Sequence, residues 1–205
     1  MAIVTSNISH KSFTDDILRT LLSSAAKAAV LRVFMLDPSR SYYQRQLEAL
    51  AEVPLRAVQR ELERLSSIGL VYARREGNRN YYQVDIGHTL FPDLQGLVLK
   101  TSEPHERLRG RLAGDPAVRL AFLRREAREV LVVLASGAGA DLLGEAGFSI
   151  DCVSSEFFAA RLAERPESFA NFLSEGEDLL GRREDVLWRR IEAAGFDVPK
   201  AKGVA

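Results

Sequence analysis

Four segments follow one another between residues 25 and 84: AAKAAVLRVFML (25–36), SYYQRQLEALAE (41–52), PLRAVQRELERLSSIG (54–69) and VYARREGNRNYYQV (71–84). The first three carry apolar residues at helical spacing, and the fourth alternates as two strands around a glycine. Three helices followed by a hairpin are typical of a winged helix-turn-helix, which places one helix in the DNA major groove and the hairpin on the flanking backbone. The sequence therefore predicts an amino-terminal DNA-binding module.

Local signals predict where these elements begin and end. Ser24 is a suitable N-cap for the first helix, and Asp37-Pro38-Ser39 ends it because proline does not continue a helix. The second helix is expected over about Tyr43–Ala51, and the third begins at or near Pro54 and ends at Gly69. The strands Leu70–Arg74 and Asn80–Val84 follow, and Gly77-Asn78 is expected to supply positive φ angles at the turn.

The third helix has one apolar face and one polar face. Leu55, Val58, Leu62 and Leu65 form a narrow apolar stripe, and the opposite face is rich in arginine. Arginine can pair with guanine and glutamine with adenine, while hairpin arginines can contact phosphates. A solvated helix face is the alternative interpretation, and the hairpin that follows favours DNA. The predicted DNA contacts are Tyr43, Arg45, Arg56, Gln59, Arg60, Arg64, Arg74, Arg75, Asn78 and Arg79.

The distribution of charge supports the same assignment. The whole chain carries 28 basic and 28 acidic residues, so its formal net charge is zero. Between Pro38 and Tyr82, however, eight arginines face five glutamates, a net charge of +3. Local charge governs contact with nucleic acid, so the basic surface is expected in the amino-terminal half.

Beyond Pro104 the pattern changes to alternating strands and helices. Apolar runs predict strands at Val118–Leu123, Val130–Leu134 and Phe148–Val153, with helices over Ser154–Glu164 and Pro166–Gly176. This alternation is typical of a small α/β domain. The predicted fold class is therefore α+β, with a winged helix-turn-helix domain at residues 1–102 and a small α/β domain at residues 103–205.

Composition argues against several classes of function. No apolar run is long enough to span a membrane, and the start MAIVTSNISHKSF lacks the order of a secretion signal. The lone Cys152 fits a reducing cytoplasm, and its apolar strand predicts a buried thiol. The three histidines are scattered. We therefore predict a cytoplasmic protein with no catalytic residue, no metal site and no cofactor.

Residues 25–101 resemble a bacterial and archaeal family of winged-helix regulators related to the ArsR-like group. AVQRELERL (57–65), EGNRNYY (76–82) and LFPDLQGLVLKT (90–101) carry the resemblance. In that family the winged helix is often fused to a minimal nucleotidyltransferase-like domain, and the second half of this chain is similar to a reduced version of it. The resemblance implies that VRLAFL (118–123) is the first core strand of that domain and VLVVL (130–134) the second.

The second half departs from that family at the positions that hold its metal. Active members carry a Gly-Ser turn after the first strand, and an Asp-x-Asp pair that opens the second strand and holds Mg²⁺. This chain has Leu123-Arg124-Arg125-Glu126 and Ala127-Arg128-Glu129 there instead. The comparison with the family therefore implies a degenerate domain without catalysis.

The leading hypothesis is a sequence-specific transcriptional regulator that binds double-stranded DNA as a homodimer. Apolar surface near Ala25–Leu36 and Asp93–Lys100 is the expected dimer interface, and the second domain would serve dimerisation or sensing of an effector, either a small molecule or a protein. The alternatives are a nucleotidyltransferase-related enzyme and a winged helix that binds proteins, as an antitoxin does. The operator and the sign of regulation are left open.

Overall fold

The computed structural model describes residues 17–137 and 147–204, and the statements below concern these residues. The start Met1–Phe13, which was compared above with a secretion signal, lies outside the described residues. The chain is of mixed α+β class and divides into two compact units, one reaching to Gly110 and the other starting at Arg111. The sequence predicted a boundary between residues 102 and 103, just before the helix Pro104–Gly114. The two units divide instead within that helix, after Gly110.

The first unit begins with a run of helices. They are α1 (residues 17–22), α2 (Ala25–Leu36), α3 (Gln44–Ala51) and α4 (Leu55–Ser67). The Ser24 hydroxyl accepts the Lys27 N–H at 3.2 Å, which confirms the predicted N-cap of α2. Pro54 is the N-cap residue of α4.

Gly69 ends α4, as the sequence predicts, in a left-handed conformation with φ +75. The Gly69 N–H donates to the Ser66 carbonyl and the Leu70 N–H to the Leu65 carbonyl, both at 3.0 Å. These two bonds form a Schellman motif, and Leu70 is buried at its end. The motif turns the chain directly from α4 into the hairpin.

A three-stranded antiparallel sheet follows, with strand order β1-β3-β2. Its strands are β1 (Tyr42–Tyr43), β2 (Val71–Glu76) and β3 (Arg79–Val84). Tyr43 was predicted to open the second helix, but it lies in β1 opposite Tyr81, because pairing with β3 holds it extended. This distant pairing is invisible to local helix signals.

The hairpin is tighter than predicted. Glu76 pairs with Arg79, so only Gly77 and Asn78 form the turn and both strands extend further than expected. Gly77 has φ +59, whereas Asn78 is not among the positive-φ residues. The expectation that both take positive φ was therefore wrong, since a two-residue turn with positive φ only at its first position is satisfied by Gly77 alone.

The unit is completed by α5 (Phe91–Lys100) and by the start of α6 (Pro104–Gly114). Helices α2 and α5 pack on each other, and Gln95 donates to the Met35 carbonyl at 3.2 Å. A Cβ at Gly110 would lie 2.7 Å from Leu99 Cδ2, so the α6 backbone also approaches this layer closely. The surfaces expected to form a dimer interface are therefore partly used within the protomer.

The second unit contains a mixed four-stranded sheet of order β6-β5-β4-β7. The strands are β4 (Val118–Arg124), β5 (Glu129–Leu134), β6 (Ser149–Ser154) and β7 (Glu177–Asp178). Strand β5 pairs antiparallel with β4 and parallel with β6. The three predicted strands are confirmed, and β7 was not predicted because its two residues gain strand geometry only by pairing with β4.

Helices α7 (Ser155–Glu164), α8 (Ala170–Ser174) and α9 (Val186–Ala193) belong to this unit, with a 3₁₀ turn at Pro166–Phe169. The helix predicted over Pro166–Gly176 is thus divided in two. The rings of Phe122 and Phe158 stack with centroids 6.4 Å apart, and Trp188 lies 5.9 Å from Phe122. These rings form the centre of the unit's hydrophobic core.

Cys152 is exposed, which contradicts the prediction of a buried thiol. It lies on β6, one of the two edge strands of the sheet, and an apolar strand at an edge need not be covered on both faces. Partial burial, together with the adjacent Asp151, raises the pKa of this thiol. A raised pKa disfavours the thiolate, which is the reactive form of a cysteine.

Candidate nucleic-acid interface

Helix α4 has one buried face and one face exposed to solvent. Val58, Leu62 and Leu65 are buried beneath it. Arg56 and Arg60 are exposed on the other side, one helical turn apart. Neither guanidinium makes an ion pair or a hydrogen bond with any residue of the described ranges. These two side chains are therefore available to an anionic partner.

Two glutamates shape the turn between α3 and α4. Glu52 takes a left-handed conformation, with φ +53, and allows the chain to reverse. The Glu48 carboxylate accepts the Leu55 N–H at 3.2 Å, satisfying a free donor at the start of α4. Its other oxygen accepts from Arg45 at 2.8 Å. The charge of Arg45 is therefore partly offset within the protein.

Arg64 is similarly engaged, although it was predicted to contact DNA. It donates to Glu61 Oε1 at 2.8 Å, and the Glu61 side chain is 2% exposed whereas that of Arg64 is 57% exposed. The other oxygen of Glu61 is buried without a hydrogen-bond partner in the described chain. Arg64 therefore serves first as the counter-charge of a buried carboxylate.

A chain of three polar side chains joins the helices to the hairpin. Gln59 Nε2 donates to Gln44 Oε1 at 3.1 Å, and Gln44 Nε2 donates to the Tyr82 hydroxyl at 3.1 Å. All three residues are half-buried. Gln59 belongs to the predicted contacts, whereas sequence reasoning missed Gln44, because no local signal connects two residues 15 positions apart.

The pleat of the hairpin divides its arginines between two faces. Arg74 lies opposite Tyr81, on the same face of the sheet as Arg79. Arg75 lies opposite Asn80, on the other face. Arg74 pairs with Glu76 at 2.5 Å, and Arg75 Nε donates to the Gly77 carbonyl at 3.3 Å. Asn78 is exposed at the tip.

Tyr43, Tyr81 and Arg79 form a stack on one face of the sheet. The ring centroids of Tyr43 and Tyr81 are 6.0 Å apart at an interplanar angle of 76°. The guanidinium carbon of Arg79 lies 4.9 Å from the Tyr43 centroid, a cation–π contact. The Tyr43 ring thus supports Arg79 and links the hairpin to the start of α3.

The neighbouring Tyr42 faces the interior instead. It is 3% exposed, and its ring meets that of Phe34 edge-on at 5.8 Å. Burial and the nearby Asp37 carboxylate raise the pKa of its hydroxyl. Of the two adjacent tyrosines, only Tyr43 is therefore placed toward the surface.

The seven arginines among the ten predicted contacts thus fall into two groups. Arg45, Arg64 and Arg74 each have a carboxylate partner within the protein. Arg56, Arg60, Arg75 and Arg79 are exposed and have none among the described residues. These four arginines carry the uncompensated positive charge of α4 and of the two faces of the hairpin, and we call them together the basic surface.

In the second unit, the residues at the β4–β5 turn are engaged with one another. Arg124 donates to Glu129 at 2.6 Å and to Glu175 at 2.7 Å. Arg128 has φ +56, donates to the Gly147 carbonyl at 2.6 Å and lies over the Phe148 ring. The side chains at the positions where the resemblance would require metal ligands are thus committed to contacts within the protein.

The described chain shows neither a cluster of metal-binding side chains nor a membrane-spanning helix. Its His, Cys, Asp and Glu side chains nowhere form a group of three that could hold a metal ion. Within residues 17–137 and 147–204, no helix has the length and apolar character needed to cross a bilayer. No protein-family model, curated protein or solved structure matches this sequence.

Proposed function

We propose that this chain is a DNA-binding transcriptional regulator whose amino-terminal unit is a winged helix-turn-helix. In this proposal α4 enters the major groove and the β2–β3 hairpin lies on the adjoining backbone. The observation that carries the proposal is the basic surface, where Arg56, Arg60, Arg75 and Arg79 are exposed without a carboxylate partner in the described residues.

Uncompensated arginines favour a polyanion over a protein partner of mixed charge. An arginine already paired with a carboxylate must exchange that partner for a phosphate, whereas an unpaired arginine gains the full charge-assisted contact. Each phosphate contact also releases condensed counterions. The basic surface is therefore suited to duplex DNA, and its binding is expected to weaken steeply as salt rises.

The second unit is proposed to act without catalysis, in dimerisation or effector sensing. The support comes from the β4–β5 turn, where Glu129 is paired with Arg124 and Arg128 is directed to Gly147 and Phe148. A Mg²⁺ ion needs oxygen ligands that are free of such partners. Failure of the purified protein to incorporate labelled nucleotide is the expected result in an enzymatic assay.

The central experiment is a fluorescence-anisotropy titration of the full chain against duplex DNA from its own upstream region, at low and high salt, with scrambled competitor. Arg56→Ala and Arg60→Ala should each weaken binding by roughly 5- to 100-fold, the range expected for an arginine that reads a base. Arg189→Ala is the matched control, because Arg189 is an exposed arginine of the second unit. It should bind like the wild type.

Two results would overturn the proposal. Binding that is weak and insensitive to salt would remove DNA as the partner and favour a winged helix that recognises protein. Equal affinity for the Arg56, Arg60 and Arg189 variants would remove α4 from its assigned role. A homodimer is expected on a palindromic site, and sedimentation with and without DNA measures it.

A further inference from the structure

The hydrogen bond between Gln59 and Gln44 has a consequence for base recognition. Gln59 lies on the first half of α4, between the exposed residues Arg56 and Arg60. Its Nε2 donates one hydrogen to Gln44 Oε1, and Gln44 in turn donates to the Tyr82 hydroxyl. The orientation of the Gln59 amide is therefore set by residues of α3 and of the hairpin.

One edge of that amide is left unused. A glutamine amide offers two N–H donors and a carbonyl acceptor. The second N–H of Gln59 and its Oε1 have no hydrogen-bond partner within residues 17–137 and 147–204. A donor and an acceptor side by side match the N7 acceptor and the N6 amino donor that adenine presents in the major groove.

We propose that Gln44 is a positioning residue that presents Gln59 to an adenine in each half-site, with Tyr82 as its anchor on the hairpin. This inference rests on the proposed function and adds to it a base and the residues that select it. Gln44 itself makes no base contact in this proposal. It acts through Gln59, by restricting the side-chain rotations that a free glutamine would lose on binding.

Restriction of this kind alters specificity more than overall affinity. The arginines of the basic surface supply contacts to phosphates, which position the protein without reading sequence. The Gln59 amide contributes only where an adenine is present. Loss of Gln44 should therefore reduce the discrimination for adenine while leaving the salt dependence of binding unchanged.

The test begins with selection of bound sequences from a randomised duplex library by the full-length wild type. The selected site is then synthesised with adenine, with each other base, and with 7-deazaadenine, which lacks the N7 acceptor. Affinities are compared for the wild type, Gln59→Ala, Gln44→Ala and Tyr82→Phe. Gln83→Ala is the matched control, because Gln83 donates to the Ser39 carbonyl and takes no part in the chain to Gln59.

The wild type should prefer adenine over the other bases at one position by roughly 5- to 100-fold, and Gln59→Ala should abolish that preference. Gln44→Ala should reduce it several-fold, and Tyr82→Phe should reduce it less. Replacement of adenine by 7-deazaadenine should weaken wild-type binding, weaken Gln44→Ala binding less, and leave Gln59→Ala binding unchanged. Gln83→Ala should behave as the wild type in every arm.

The outcomes separate this inference from the proposed function. If the wild type selects a sequence but Gln44→Ala retains the full preference for adenine, the positioning role is wrong and the regulator assignment stands. The same holds if the selected site contains no adenine that depends on Gln59. If the wild type does not bind duplex DNA at all, both proposals fail together.

Discussion

Arg64 donates to Glu61 at 2.8 Å within helix α4, and the Glu61 side chain is almost completely buried. A buried carboxylate that loses its counter-charge costs free energy, because water cannot replace the missing partner. The second oxygen of Glu61 already lacks a partner in the described chain, so Arg64 is its principal stabilising contact. This pair ties a predicted DNA contact to the stability of the helix.

We expect Arg64→Ala to lower the free energy of unfolding by about 1–2 kcal/mol, since a buried acceptor loses its donor while Arg64 itself is more than half exposed. Urea denaturation measures the change. Arg60→Ala is the control on the same helix and should leave stability within about 0.5 kcal/mol of wild type. Equal stability of the two variants would mean that Glu61 does not depend on Arg64.

The stack of Arg79 on Tyr43 predicts different results for two substitutions of the tyrosine. Tyr43→Phe keeps the ring and should leave DNA affinity close to that of the wild type. Tyr43→Ala removes the support of Arg79 and should weaken binding by roughly 2- to 5-fold, the size of an exposed cation–π contact. Anisotropy titration measures both. If the phenylalanine variant loses as much as the alanine variant, the hydroxyl and not the ring makes the contribution to binding.

His88 uses both of its ring nitrogens in contacts with the backbone. The Leu90 N–H donates to His88 Nδ1 at 3.1 Å, and Nε2 lies 3.0 Å from the Ile68 carbonyl at the end of α4. The carbonyl only accepts and the N–H only donates, so both contacts require a neutral imidazole protonated at Nε2. The ring therefore joins the start of α5 to the end of α4.

We expect His88→Ala to lower the free energy of unfolding by about 1 kcal/mol, since the Leu90 N–H and the Ile68 carbonyl both lose their hydrogen-bond partner. Urea denaturation measures the change. Unchanged stability of the variant would contradict the geometry.

Cys152 is the single cysteine of the chain, and its exposure predicts labelling of the folded protein. A maleimide should modify one thiol per chain without denaturant. Partial burial and Asp151 raise the thiol pKa, so the rate at neutral pH should be below that of a free cysteine and should rise as the solution is made alkaline. Labelling only after denaturation would show that this thiol is covered in solution.

Much of the architecture could be predicted from local patterns. The N-cap of α2 at Ser24 and the end of α4 at Gly69 are each set by residues within one helical turn. The apolar runs of β4 and β5 likewise mark strands that are buried in the sheet. Errors occurred where distant pairing decided the conformation, at Tyr43 in β1 and at the two residues of β7.

Local patterns predicted most of the helices and strands and the residues of the candidate surface, because apolar period, caps and turns act between near neighbours. The tertiary structure sets which of those residues remain available. It paired Arg45, Arg64 and Arg74 with carboxylates, joined Gln59 to Gln44, and left Cys152 exposed. The pleat also separated Arg74 and Arg75 onto opposite faces of the hairpin. The availability of a charged side chain depends on the partners that folding brings within hydrogen-bond distance, and spacing along the chain does not encode those partners.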